Sequence, residues 1–255
     1  ISGLIVSEHS NDFNHWSSIS TLYEILKKHE VPAIYGLDTR ALTQKLRNKG
    51  TMGGRILFEK PSKWSSYSLP HVVNSVSPTK TIEHGSGKKR VCLVDCGCKT
   101  NIINSLIDRD ASIVRVPWNQ NYNEIPDVDG FLFSNGPGNP EDCKETIEFA
   151  KKAINSRLPV MGICLGHQIL SLASGAKTFK LPFGHRSQNQ PCKIANKNRC
   201  FITSQNHGYA VDSKTLPPDL EEWFVNLNDN TNEGIRHKNK NIMSVQFHPE
   251  ANPGP

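Results

Sequence analysis

Gly162-Ile-Cys164-Leu-Gly166 lies where a short apolar run, 158–163, gives way to a helical pattern. A strand expected to end at Met161 and a helix expected to begin near Gly166 leave only a sharp turn between them. Glycines on both sides relieve the crowding of such a turn, and its middle residue is displayed. A cysteine there reads as a nucleophile. Unpaired N–H groups and the macrodipole at a helix N-terminus favour the thiolate, and the N–H of Leu165 can donate to an oxyanion. A thiolate nucleophile needs a base, and the base needs an orienting group. Among ten histidines, His248 in Phe247-His248-Pro249-Glu250 fits best. Proline keeps the residue before it extended, and the i, i+2 alternation of a strand puts Glu250 on the same face as His248.

His167 lies in the first helical turn after Cys164, where its ring is poorly placed for proton transfer and a packing role fits equally. His207, in Gln205-Asn206-His207-Gly208-Tyr209, belongs to a polar segment that reads as a substrate wall. Ser134-Asn135-Gly136-Pro137-Gly138-Asn139-Pro140 is a glycine-rich loop leaving a strand. It carries neither a Lys-Ser/Thr pair nor G-x-G-x-x-G, so it is a poor phosphate cradle. Its glycines can instead bring backbone N–H groups to a reacting carbonyl as the other half of an oxyanion hole. Each feature has a plainer alternative: an inert core cysteine, a surface turn at His-Pro-Glu, an ordinary strand-to-helix loop.

The elements that must position these residues follow from periodicity. From 91 onward, apolar strands at 91–95, 113–116 and 130–134 alternate with helices, one carrying Ile102, Ile103, Leu106 and Ile107 on one face. The next helix is expected to open with Asn139 as its cap and Pro140 at its first position. This is the α/β pattern of an open, mostly parallel, doubly covered sheet, with Cys164 at the strand end where such sheets bind ligands. Beyond Gly175 short β segments are expected, including 200–203, 223–225 and 242–247. Residues 1–58 predict a smaller α/β domain: strands at 4–6, 31–35 and 55–58, a helix carrying Ile19, Leu22, Tyr23 and Leu26, and a second helix from Asp38 or Thr39 to Gly50. From 59 to 90 the periodicity fades into a connecting segment. The division is placed at 1–85 and 86–255.

At 255 residues the chain has ample length for two cores, and a formal charge of +6 without a long basic run gives no support for nucleic-acid binding. No apolar stretch approaches the ~20 residues of a membrane span. Seven cysteines, an odd number without framework spacing, suit a reducing compartment. Cys92, Cys96 and Cys98 invite a metal reading. No second pair with ligand spacing follows them, so no metal site is expected.

Gly-Ile-Cys164-Leu-Gly-His-Gln168, Ser-Asn-Gly136-Pro-Gly138, Gln-Asn206-His-Gly208-Tyr209 and Phe-His248-Pro-Glu250 together resemble the class I, or triad, glutamine amidotransferases. Val94-Asp95-Cys-Gly-Cys-Lys-Thr-Asn101, Ser174-Gly-Ala-Lys177, Asn189-Gln-Pro191 and Asn232-Glu-Gly234 narrow the likeness to the small subunit, or glutaminase domain, of carbamoyl-phosphate synthetase. Ile1-Ser-Gly-Leu-Ile-Val6 and Asp38-Thr-Arg-Ala-Leu-Thr-Gln-Lys-Leu-Arg47 are similar to that subunit's N-terminal domain, so the resemblance covers nearly the whole chain. Val116-Pro-Trp-Asn119 and the segment 228–234 look like eukaryotic members.

The resemblance implies that Cys164 is the nucleophile, His248 the general base and acid, and Glu250 its orienter. It implies a glutamine pocket of Gly136, Gly138, Leu165, Gln168, Asn206, Gly208 and Tyr209. L-glutamine would be hydrolysed through a γ-glutamyl thioester. Its ammonia would pass to a synthetase large subunit or fused synthetase domain, for carbamoyl phosphate used in pyrimidine or arginine synthesis. No cofactor is expected in this chain, with ATP, bicarbonate and magnesium confined to the synthetase partner. Family members carry more sequence at both ends, including a serine that helps bind glutamine, so both ends are expected to be cut. A cytoplasmic setting is implied, with mitochondria as the alternative. Competing readings are a triad amidotransferase of another synthetase, such as anthranilate or GMP synthetase, against which residues 1–58 argue, and a catalytically quiet docking or regulatory module.

Overall fold

The computed structural model describes residues 2–57, 59 and 72–251. The chain divides into two units, Ile1–Ser68 and Leu69–Pro255. In the first, β1 (Leu4–Ile5) pairs in parallel with β2 (Ala33–Ile34), and α1 (Leu22–Lys28) and α2 (Thr39–Lys49) follow β1 and β2 respectively. Both helices start on side-chain caps. Thr21 and Glu24 form a reciprocal capping box, and Asp38 accepts from the Ala41 N–H. Gly50, at φ 80°, ends α2 as its composition predicts. The strand expected at 55–58 is not formed over 55–57; Phe58 lies outside the described residues.

The second unit is one ten-stranded sheet in the order β3-β5-β4-β6-β7-β12-β11-β10-β8-β9. Its strands are β3 (Ile82–His84), β4 (Lys89–Asp95), β5 (Ala111–Pro117), β6 (Gly130–Phe133), β7 (Val160–Ile163), β8 (Thr178–Ile194), β9 (Cys200–Val211), β10 (Leu220–Asn226), β11 (Asn232–His237) and β12 (Ile242–Val245). The parallel character belongs to the run β5-β4-β6-β7-β12, and β11, β10, β8 and β9 continue it as an antiparallel ribbon. The division falls before the expected 85/86 boundary. The stretch expected to be a linker instead supplies the 3₁₀ turn Val72–Ser75 and the edge strand β3, antiparallel to β5. Ser77 ties this segment in: its hydroxyl donates to Asp95 O at 2.6 Å and accepts from Trp118 N at 3.0 Å.

Alternation along the strands sorts two cores, one on each face. Cys92 and Val94 of β4, Val114 and Val116 of β5, and Phe131 and Phe133 of β6 face α4 (Lys144–Asn155) and α5 (Leu165–Ala173). Leu93, Ile113, Leu132 and Ile163 face the opposite way, toward Ile102 and Ile103 of α3 (Thr100–Ile107). The helix expected to begin at Pro140 starts later. Asn139 does cap a turn, accepting from Glu141 N, but that turn is a separate 3₁₀ segment, Pro140–Asp142, and α4 begins at Lys144. Phe149 anchors α4 on the sheet, 5.2 to 5.8 Å in ring centroid from Tyr122, Phe131 and Phe133. Phe149→Ala is expected to destabilise the second unit by about 3–5 kcal/mol, read as a lowered midpoint in urea melts at unchanged slope.

Candidate active site

Strand β7 ends at Ile163 and α5 starts at Leu165, so the whole bend is Cys164 alone, at φ 54° and ψ −104°. A β-carbon added at Gly162 would meet the Gly166 carbonyl at 2.6 Å, and one added at Gly166 would meet Phe133 O at 2.1 Å. Only glycine lets the first turn of α5 approach β6 and β7 so closely. That approach is held by Gly166 N donating to Ser134 O at 3.0 Å and Cys164 N donating to Val245 O at 2.9 Å.

Above the bend lies a cavity of about 360 Å³, lined by Lys99, Asn135, Gly136, Pro137, Gly138, Cys164, Gln168, Arg186, Asn206, His207, Gly208, Tyr209 and His248. Of the residues singled out from the sequence, Gly136, Gly138, Cys164, Gln168, Asn206, Gly208, Tyr209 and His248 all line it. Leu165 does not: its side chain lies in the core, and only its backbone is placed at the bend. Glu250 stands behind His248, its Oε1 2.7 Å from the imidazole Nδ1. That contact arises differently from the alternation expected of a strand. β12 stops at Val245, and Pro249–Ala251 is a 3₁₀ turn that folds Glu250 back beneath the ring.

Polar contacts fix the loops. Asp95 accepts from Gly97 N and Cys98 N at 2.6 and 2.7 Å, and Asn135 clasps this loop by accepting from Lys99 N and donating to Gly97 O. A β-carbon on Gly136 would sit 2.2 Å from Cys96 O, so glycine is required where the two loops touch. Gln168 spends its amide hydrogens on Tyr209 O and Gln246 Oε1, both at 2.8 Å, which ties α5 to the hairpin wall. His167 turns away from the sulfur: it is fully buried, its Nδ1 is 2.8 Å from Ser244 Oγ, and burial lowers its pKa to about 3.

Burial works against charge on His248. Hydrogen bonds to Cys164 and Glu250, and their charges, outweigh it and push its pKa up to about 9. Burial likewise opposes charge on Glu250, yet the bond to His248 holds its carboxyl below the usual range. Lys99, which lies within the Val94–Asn101 motif but has no role assigned from the sequence, brings Nζ to 3.2 Å from His248 Nδ1 and 3.5 Å from Glu250 Oε1. Arg186 is a second cation on the cavity wall. Neither had a local signal, because a lone Lys or Arg in sequence gives no hint of what it will face. Cys92, Cys96 and Cys98 do not gather: Cys92 and Cys96 are buried in the core and Cys98 donates to Lys99 O. Burial pushes the Cys92 and Cys98 thiols up to about 12. Among the described residues no helix is long and apolar enough to cross a membrane.

An open α/β sheet with a cysteine elbow, a histidine–carboxylate pair and a glycine-rich loop at one strand end is the arrangement of a class I glutamine amidotransferase. Residues 92–255 match the family described as "Glutamine amidotransferase class-I", and the chain belongs to it. Residues 1–56 match the family described as "Carbamoyl-phosphate synthase small chain, CPSase domain". Over 99% of its length the chain is 47% identical to "Multifunctional protein CAD" of Squalus acanthias, spanning 12% of that protein. It is 43% identical, again over 99% of its length, to "Carbamoyl phosphate synthase arginine-specific small chain" of Neurospora crassa, spanning 58% of it. A solved structure of a glutamine amidotransferase from Thermotoga maritima shares the fold, with a TM-score of 0.53 at 17% identity over 65% of this chain and 77% of that one.

Because the folded-state pKa of His248, about 9, lies above its ordinary 6.5, protonation of this ring stabilises the fold. The contribution is complete below about pH 6.5 and is lost as pH rises through 9. The His248 ring resonances are expected to titrate near pH 9 by NMR, and lower in Cys164→Ser and in Glu250→Gln.

Proposed function

We propose that this chain is the glutaminase component of a carbamoyl-phosphate synthase, hydrolysing L-glutamine and supplying ammonia to an ATP-dependent synthetase. The observation that carries this reading is Cys164 held at φ 54° over the cavity beside the His248–Glu250 pair. The cavity presents Lys99 and Arg186, a favourable field for the carboxylate of an amino acid, and its volume of about 360 Å³ falls within the range of small-ligand pockets.

Cys164 sulfur attacks the carboxamide carbon of glutamine. The N–H groups of Leu165 and Gly136 donate to the oxyanion that forms. His248 delivers a proton to the amide nitrogen, the C–N bond breaks, and ammonia leaves a γ-glutamyl thioester on Cys164. Water then attacks the thioester carbonyl while His248 takes its proton, and the C–S bond breaks to release glutamate and restore the thiol. Glu250 keeps the imidazole oriented through both proton transfers. Gly138, Gln168, Asn206, Gly208 and Tyr209 hold the amino-acid end of the substrate. No metal or nucleotide takes part in these steps; ATP, bicarbonate and magnesium are assigned to the synthetase.

The match of residues 1–56 supports carbamoyl-phosphate synthase over the synthetases of anthranilate or GMP. The words "small chain" and "Multifunctional protein" in the names of the relatives support a synthetase partner that is a separate large subunit or part of one chain, and "arginine-specific" supports arginine synthesis as one outlet, with pyrimidine synthesis the other outlet proposed. Seven free cysteines suit a reducing setting, and we place the chain in the cytoplasm, with mitochondria as the alternative.

A glutaminase assay on the full chain, with and without the synthetase, tests the reading. Cys164→Ser is expected to abolish hydrolysis, and His248→Asn to reduce kcat by about 10²–10⁴-fold with little change in KM. Hydrolysis that survives Cys164→Ser overturns the triad assignment. A chain with no hydrolysis even in the complex is instead a docking or regulatory module.

A further inference from the structure

A second buried cluster lies in the antiparallel half of the sheet. His185 of β8, Gln205 and His207 of β9 and Glu233 of β11 are each less than 10% exposed, Glu233 completely buried. A register shift between Lys180 and His185 in the β8–β9 pairing sets His185 directly opposite His207, and their rings meet edge to face at 4.8 Å.

The outer nitrogen of each ring meets an oxygen that can only accept: His185 Nε2 lies 2.7 Å from Asp229 Oδ2, and His207 Nδ1 lies 2.8 Å from Tyr209 O. The ring hydrogens of the neutral imidazoles therefore sit on the outer nitrogens. The inner nitrogens, His185 Nδ1 and His207 Nε2, are left with lone pairs, and each is 2.9 Å from Gln205 Oε1. Gln205 sends its amide hydrogens away, to Thr203 Oγ1 and Cys192 Sγ. Glu233 adds Oε1 at 3.3 Å from His185 Nδ1, and its Oε2 is buried without a hydrogen-bond partner. Four electron-pair donors thus converge, and the ligand atoms of His185, His207 and Glu233 all lie within 4.8 Å of one another. Donors around a tetrahedral zinc ion, with bonds of about 2.0–2.2 Å, stand about 3.4 Å apart.

We propose that His185 Nδ1, His207 Nε2, the Glu233 carboxylate and Gln205 Oε1 form a site for a divalent transition ion, with zinc the best match. Two imidazoles and a carboxylate suit that ion. The Asp229 and Tyr209 oxygens behind the rings are the outer partners that orient histidine ligands. The site borders the Cys164 cavity, which His207 also lines, but it includes none of Cys164, His248 and Glu250. It joins β8, β9 and β11 and fixes the strand that carries Asn206, Gly208 and Tyr209 into the cavity, so its role is to rigidify that wall. Without a metal the same acceptors favour a proton: although burial opposes it, Glu233 and Asp229 push the pKa of His185 up to about 9. A cluster that holds only that proton is the competing outcome. Sequence spacing gave no warning of the site, because its ligands come from three strands with no short motif.

The test uses the full chain in the Cys164→Ser background, which removes the reactive thiol as a competing ligand. After chelator treatment, zinc is titrated against a chromophoric competitor and cobalt(II) is added as a spectroscopic probe. The expected result is one equivalent bound per chain, visible cobalt bands of four-coordinate intensity, and a raised thermal midpoint. His185→Asn and Glu233→Gln are each expected to weaken binding at least 100-fold with the circular dichroism spectrum unchanged. Should either variant fail to fold, Asp229→Asn, a change at a partly exposed position, is expected to weaken zinc about 10–100-fold. Absence of stoichiometric binding, or equal affinity in the variants that fold, overturns the proposal.

Discussion

The close approach of α5 to strands β6 and β7 is the constraint on which the rest of the site depends. With Gly162 and Gly166 in near contact with neighbouring backbone, the chain has a single residue in which to reverse from strand to helix, and Cys164 must take a positive φ. Such a conformation costs a non-glycine residue about 1–3 kcal/mol. Leu165, Ile169 and Leu170, all within 1% of complete burial, each contribute about 1.5–3 kcal/mol when withdrawn from water. The packing of α5 therefore outweighs the strain severalfold. The sulfur stays aimed at the cavity because the helix behind it has nowhere else to go.

Around that fixed point the two halves of the sheet divide the work. The parallel strands end in loops locked by Asp95, Ser134 and Asn135, which bring main-chain groups to the reacting centre. The antiparallel hairpin of β8 and β9 supplies the opposite wall, and Gln168 bridges the two through Tyr209 O. The histidine belongs to neither loop set. It is carried past the end of β12 and held by the turn that returns Glu250 to it.

Much of this was legible in the sequence, for physical reasons that differ from residue to residue. The strands of the parallel core are continuous apolar runs, so β4, β5, β6 and β7 stand out within a residue or two of their true ends. Gly-x-Cys-x-Gly is legible because only an elbow needs glycine on both sides of a cysteine. Strand alternation places His248 and Glu250 on one face, but a 3₁₀ turn makes their contact. The edge strand β3 is not legible in the segment read as a connection, because it is only three residues long and forms by pairing with the distant β5. The long β8 was missed as a whole, since its Gly, Pro and polar residues mask a strand stabilised by its neighbours. Lys99, Arg186 and the His185 cluster depend on tertiary proximity alone, which no local pattern encodes.

The cavity wall formed by β9 carries a further implication. The link that joins this wall to α5 runs through the main-chain carbonyl of Tyr209, and the oxyanion donors assigned at Leu165 and Gly136 are main-chain amides. Contacts made by the peptide backbone do not depend on side-chain chemistry, so at Tyr209 a replacement that fits leaves the link in place, whereas at Gly136 the crowding against Cys96 O admits glycine alone. Phe201 and Ile202 of the hairpin, both more than a third exposed, take no part in these main-chain contacts. The architecture separates a site geometry set by main-chain groups from an outer hairpin surface whose side chains do not enter it.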